Sequence, residues 1–127
     1  MIREVEFILY VRSQESAKEF YSNVLRKVPS LHVPGMTEFQ LTPNTKLGLM
    51  PNNGIAKIIT PILKHPNDSD VPKCELYLLV DAPLDYEARA LANGATMISP
   101  YAKRDWGHDV VYLADRDNHV IAFAKQS

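Results

Sequence analysis

The chain has 127 residues, 46% of them hydrophobic and 23% charged, the composition of one globular domain with no second independent core. Fourteen Lys and Arg against 15 Asp and Glu leave a net charge of −1, and like charges do not cluster, so neither a nucleic-acid footprint nor a polybasic membrane patch is expected. The longest apolar stretches, such as Leu76 to Val80, are strand-sized, and MIREVEF lacks the apolar core of a signal peptide, which predicts a soluble cytoplasmic protein without membrane partners. A single cysteine, Cys74, excludes an internal disulfide and a cysteine zinc cluster, and its place beside a strand reads as a small buried hydrophobe.

Val5 to Val11, VEFILYV, is β-branched and aromatic and predicts a strand. Ser13 then offers a cap to a helix in which Ala17, Phe20, Tyr21, Val24 and Leu25 recur at three and four, with Pro29 as its stop. Two extended segments follow, around Glu38 to Leu41 and Lys46 to Met50, joined by Thr42, Pro43 and Asn44 as a hairpin.

From Pro51 to Lys73 the chain has four prolines and the polar run His65 to Asp70, the composition of a linker. Ile55, Ile58, Ile59, Ile62 and Leu63 nevertheless fall at helical spacing, although Pro61 ends or kinks any helix near Thr60, so the segment is either a packed connector or a flap over a cavity.

Cys74 to Val80, CELYLLV, predicts a second opening strand, and Pro83 suits the first position of a helix with the stripe Leu84, Ala88, Leu91 and Ala92, ending at Asn93-Gly94. Strands at Asp109 to Leu113 and Val120 to Ala124 flank the turn Asp115 to Asn118, with Asn118 suited to the left-handed conformation. Laying Glu75 on Glu6 superposes Leu78 on Leu9 and Val80 on Val11. The order of elements therefore predicts an α+β chain of two tandem β-α-β-β-β modules within one domain, 1–127: module 1 about 1–50, a linker about 51–73, and module 2 about 74–127.

Three stretches, EFILYVRSQESAKEFYSNVL, ELYLLVDAPLDYEARALANGA and DWGHDVVYLADRDNHVIAF, resemble in order and spacing the vicinal oxygen chelate superfamily of glyoxalase I, bleomycin-resistance proteins, fosfomycin-resistance enzymes and extradiol dioxygenases. The third is closest to the bleomycin-resistance branch. The resemblance covers essentially the whole chain and implies two half-barrel sheets, each with its helix on the convex side and together making a cleft. Strand alternation then sends Phe7, Leu9 and Val11 to the first helix and Glu6, Ile8 and Tyr10 to the cleft. In the second module it sends Leu76, Leu78 and Val80 to the helix and Glu75, Tyr77 and Leu79 to the cleft, with Ile121 and Phe123 opposite Val120, Ala122 and Ala124.

Metal-dependent relatives carry His, Glu or Gln at four strand positions, which map by motif onto Glu6, Gly48, Glu75 and Ala122. Glycine and alanine offer no donor, whereas an open metal site usually needs three protein ligands. The remaining carboxylates, Glu6 and Glu75, cost several kcal/mol inside a cleft unless compensated. They share a proton, hold a cationic group of a ligand, or escape the cost, Glu6 at a fraying strand end and Glu75 paired with Lys73 or an arginine.

Trp106, in the loop Arg104 to His108, is either a lid on its own module or a stacking surface for a planar ligand, with His108 beside it as donor or acceptor, or simply solvated. Tyr10, Tyr77 and Tyr112 supply aromatic wall, or fill an ordinary core. His119 reads as exposed, and His32 and His65 as lying in polar connectors. No phosphate loop, nucleophile elbow or Ser-His-Asp order is present.

Three functions compete. The first is a small-molecule-binding homodimer with no cofactor, its ligand aromatic or cationic and held by Glu6, Tyr10, Glu75, Tyr77, Trp106, His108 and Tyr112. The second is a glyoxalase-type lyase or isomerase in which Glu6 and Glu75 bind a divalent metal. The third is a dimeric structural module with a vestigial cleft.

Overall fold

The computed structural model describes residues 1–68 and 71–127. Elements run β1 (Val5–Val11), α1 (Gln14–Leu25), β2 (Leu31–Val33), β3 (Met36–Thr42), β4 (Thr45–Pro51), α2 (Asn52–Ile59), a 3-10 turn (Pro66–Asp68), β5 (Glu75–Leu79), α3 (Pro83–Ala92), β6 (Thr96–Lys103), β7 (His108–Ala114) and β8 (Val120–Gln126). The fold is α+β and repeats β-α-β-β-β, with α2 between the copies. Two compact units result: residues 1–22 with 26–71, and residues 23–25 with 72–127.

The first sheet has the order β1-β4-β3-β2, with β1 parallel to β4 and the rest antiparallel. Parallel pairing of β1 with β4 requires a crossover, which α1, β2 and β3 together provide. Alternation places Leu9 and Val11 with Leu47, Leu49 and Phe39 on the buried face, and Ala17, Phe20 and Tyr21 of α1 are buried as well. Phe7 departs from the expected burial: it shares the parity of Leu9 but sits near the start of the strand and is 49% exposed. Ser13 caps α1 by accepting from Ser16 N at 3.2 Å. The helix ends three residues before Pro29, at Arg26, whose left-handed backbone (φ 53°) lets Lys27 N reach Ser22 O.

The connector is more structured than its composition suggests. Within it α2 buries Ile55 and Ala56 and touches β4 and β1, while Ile58, Ile62 and Leu63 stay exposed. Two residues of the polar run are tied to α2: Asn52 Nδ2 donates to Asn67 Oδ1 at 2.7 Å, and His65 Nε2 bonds Asn53 Oδ1 at 3.1 Å. α2 stops at Ile59, before the cis Thr60-Pro61 peptide.

The second sheet repeats the plan in the order β5-β8-β7-β6. α3 packs on β7 and β8, with the Tyr86 ring 5.0 Å from that of Phe123, and Pro83 occupies its first turn. Leu76, Ile121, Phe123, Val111 and Leu113 are buried on that side. In the last hairpin Asp115 Oδ1 accepts from Asp117 N and His119 N, both at 2.8 Å, and Asn118 takes φ 66°. His119 is half-buried rather than exposed, and Cys74 is exposed rather than buried, since it lies just before β5 and outside its paired register with β8. Among the described residues no helix is long and apolar enough to cross a membrane.

Candidate functional site

In the first unit, the sheet face opposite the core follows from register. Glu6 stands against Lys46 and Ile8 against Gly48, while Glu38 lies across from Gly48 on the other side of β4. Lys46 Nζ is 4.0 Å from Glu38 Oε1, and both side chains are largely covered. Glu6 Oε2 is buried, and no donor reaches it. Burial is the largest cause that raises the Glu6 carboxyl from 4.5 to about 7. The neighbouring Glu38 carboxyl comes next; Lys46 opposes the rise and Glu4 adds to it. Burial and a second carboxyl close by both disfavour the charged form, so Glu6 holds its proton up to near-neutral pH.

Glu6 is therefore not in water at a fraying end. The carboxyl that faces it within its own unit is Glu38, which the sequence reading passed over together with Lys46. Their signal was weak: each lies in a strand at a parity that register alone identifies as shared with Glu6. Ile8 and Tyr10 are exposed, at 43% and 38%. His32, assigned to a connector, lies in β2, its Nε2 2.9 Å from Glu15 Oε1 and its Nδ1 2.8 Å from Thr37 Oγ1. Thr37 is fully buried, so this chain ties β2 and β3 to α1 and offers no reachable nucleophile.

In the second unit, Ala122 stands in register with Tyr77 on one side and Tyr112 on the other. Val110, Ala122 and Ala124 form a buried apolar floor on which both tyrosines pack. Small residues in β8 leave room for two aromatic rings beside it. Burial pushes the Tyr112 phenol above its ordinary value; Glu75 and Tyr77 add to this and Arg104 opposes it. Glu75 is exposed at the start of β5.

The β6–β7 loop carries Trp106 to the same tyrosines. Gly107, at φ 90°, takes the left-handed step that closes the loop, with Arg104 N donating to His108 O at 2.8 Å. Trp106 Nε1 donates to Tyr77 Oη at 2.9 Å, and that oxygen is 2.6 Å from His108 Nδ1. The Tyr77 and His108 rings lie 5.8 Å apart at 33°. Trp106 is nonetheless 55% exposed, so it does not act as a lid on the core. His108 is half-buried and bonded rather than solvated.

Arg104, which sequence reasoning named only as part of the loop, anchors it. Its Nη2 donates to Ser99 Oγ at 3.1 Å and to the carbonyls of Pro100 and Val110, each at 2.9 Å, and its guanidinium lies 5.2 Å from the Tyr112 ring centroid. Tyr77, Trp106, His108, Tyr112 and Arg104 thus form one connected aromatic and polar surface.

Known structures share this architecture. A glyoxalase-related enzyme from Fulvimarina pelagi matches with a TM-score of 0.83 at 18% identity, over 99% of this chain and 89% of that one. A glyoxalase/bleomycin resistance protein/dioxygenase family enzyme from Burkholderia phytofirmans matches at 0.83 and 17%, over 96% and 97%. A protein from Agrobacterium tumefaciens, solved by solution NMR, matches at 0.73 and 26%, over 100% and 99%. No protein-family model and no curated protein matches the sequence.

The chain has the fold seen in glyoxalase/bleomycin resistance protein/dioxygenase family structures. The divalent metal of metal-dependent members does not fit the residues that the resemblance assigns to it. Gly48 has no donor, and a Cβ there would overlap Glu6 Oε2. Ala122 has none either, and lies in the apolar floor between two tyrosines.

Proposed function

We propose that this protein is a metal-independent small-molecule-binding homodimer whose ligand is aromatic or cationic. The observation that carries the reading is Trp106: more than half exposed, yet held by its Nε1–H to Tyr77. An exposed indole normally turns between rotamers, and fixing it in advance removes part of the ordering cost of stacking a ligand. Tyr77 and Tyr112 extend the aromatic surface, and Glu75 adds negative charge beside it. Glu6 and Tyr10 are proposed as further ligand contacts on the open face of the first sheet.

Titration of Trp106 fluorescence with a panel of aromatic cations and anions tests this reading. Cations are expected to bind more tightly than anions, and Trp106→Ala is expected to remove about 1–3 kcal/mol of affinity. Preference for anions, or unchanged affinity in Trp106→Ala, contradicts the reading.

A lyase or isomerase of the glyoxalase type, with Glu6 and Glu75 on a divalent metal, has one observation in its favour. The Glu6 carboxyl at about 7 suits a general base. Stoichiometric metal that survives dialysis and is lost in Glu6→Gln or Glu75→Gln would replace the binding reading with this one.

A further inference from the structure

The hydrogen bonds around Tyr77 have a direction, and the direction leaves one donor over. An indole N–H can only donate, so Tyr77 Oη accepts from Trp106. The Tyr77 hydroxyl, already accepting at Oη, lies 2.6 Å from His108 Nδ1, and a hydroxyl that donates there makes this contact an O–H···N bond. A neutral imidazole that accepts at Nδ1 carries its proton on Nε2. Among the described residues no hydrogen bond to Nε2 of the half-buried His108 is present.

We infer that the ligand of this surface is a planar aromatic molecule bearing a hydrogen-bond acceptor, a carbonyl or similar oxygen, which takes the Nε2–H of His108 while its ring lies against Trp106. The inference rests on the binding function proposed above and narrows it. Both ends of the recognition meet at one atom: Tyr77 Oη holds the indole by its nitrogen and the imidazole by Nδ1, so stacking surface and donor keep a set spacing. A ring with no acceptor would leave the donor bonded to water or, once covered, to nothing, and that loss is what discriminates. The apolar floor of Val110, Ala122 and Ala124 beneath Tyr77 and Tyr112 offers the acceptor no competing donor.

Two measurements test this. Nitrogen-15 NMR of the uncomplexed protein at alkaline pH, where imidazole is neutral, is expected to find the His108 proton on Nε2; a proton on Nδ1 overturns the inference and leaves the stacking surface intact. Calorimetry then compares 2-naphthamide with 2-isopropylnaphthalene, two uncharged molecules of similar shape that share a ring and differ in having an acceptor. Wild type is expected to bind the amide about three- to tenfold more tightly, and His108→Phe to bring the ratio close to one. No preference for the amide, or a preference that persists in His108→Phe, overturns the inference alone. Failure of wild type to bind either probe overturns the binding reading and the inference with it.

Discussion

The Glu6 carboxyl fills the space that a side chain at Gly48 would take. A Cβ built at Gly48 would overlap Glu6 Oε2 and stand 3.2 Å from Ile8 Cγ1 and 3.3 Å from Met36 Sδ. The glycine thus makes room for a carboxyl that turns across β4 toward Glu38, where the resemblance places a ligand side chain in metal-dependent relatives. Gly48→Ala is expected to displace Glu6 and to cost about 1–3 kcal/mol of stability by overpacking, and Glu6→Ala in the same chain to recover part of it. Urea denaturation of the two single variants and the double variant measures the coupling; strictly additive effects contradict the shared space.

The raised Glu6 carboxyl sets a direction for stability against pH. Its folded-state pKa of about 7 lies above the ordinary 4.5, so between these values the folded chain binds the proton that the unfolded chain has lost. This contribution is fully present below pH 4.5 and is lost as pH rises through 7. Glu6 is partly exposed, and with solvent screening the loss is on the order of 1 kcal/mol. Melting curves of wild type and Glu6→Gln from pH 4.5 to 8 are expected to show that this fall is absent in the variant; parallel curves contradict the assignment.

Much of the fold was legible because each module opens with a strand and a helix, and in α1 periodicity, cap and stop signals agree; in α3 the expected stripe is not the buried face, since Leu84 and Leu91 are 52% and 42% exposed and Pro83, Tyr86 and Ala90 pack instead. The edge strands were not. β2 is only Leu31–Val33, and β6 carries Pro100 and two register shifts, so neither shows clean alternation. The aromatic half of the candidate surface was visible from strand parity at Tyr77 and from the loop around Trp106. Its polar partner Arg104 was not, nor in the first unit were Glu38 and Lys46, since each acquires meaning only through pairing register or loop closure. Cys74 misled because residue type alone suggests burial, whereas exposure depends on which strands cover a position.

Asp115 is the buried acceptor that shapes the last hairpin, and it is 4% exposed. Asp115→Ala leaves the amides of Asp117 and His119 without that acceptor and is expected to cost about 1–3 kcal/mol. Thermal denaturation checks this; a change within about 0.5 kcal/mol, as for a surface position, contradicts it.

Edge strands with exposed apolar side chains favour self-association. In strand order β1 and β2 flank the first sheet, with Phe7 49% and Val33 43% exposed, and β5 and β6 flank the second, with Leu79 62% and Ile98 52% exposed. Light scattering at micromolar concentration is expected to give the mass of a dimer, and a clean monomer contradicts that expectation.

The central claim, that an aromatic small molecule binds without metal on the surface organised by Trp106, is tested most directly by calorimetry on protein treated with chelator. With 2-naphthamide as the probe, the account predicts one site per chain, affinity unchanged by the chelator, and clear weakening in Trp106→Ala. Binding that appears only when a divalent metal is restored, and disappears in Glu6→Gln, would contradict it.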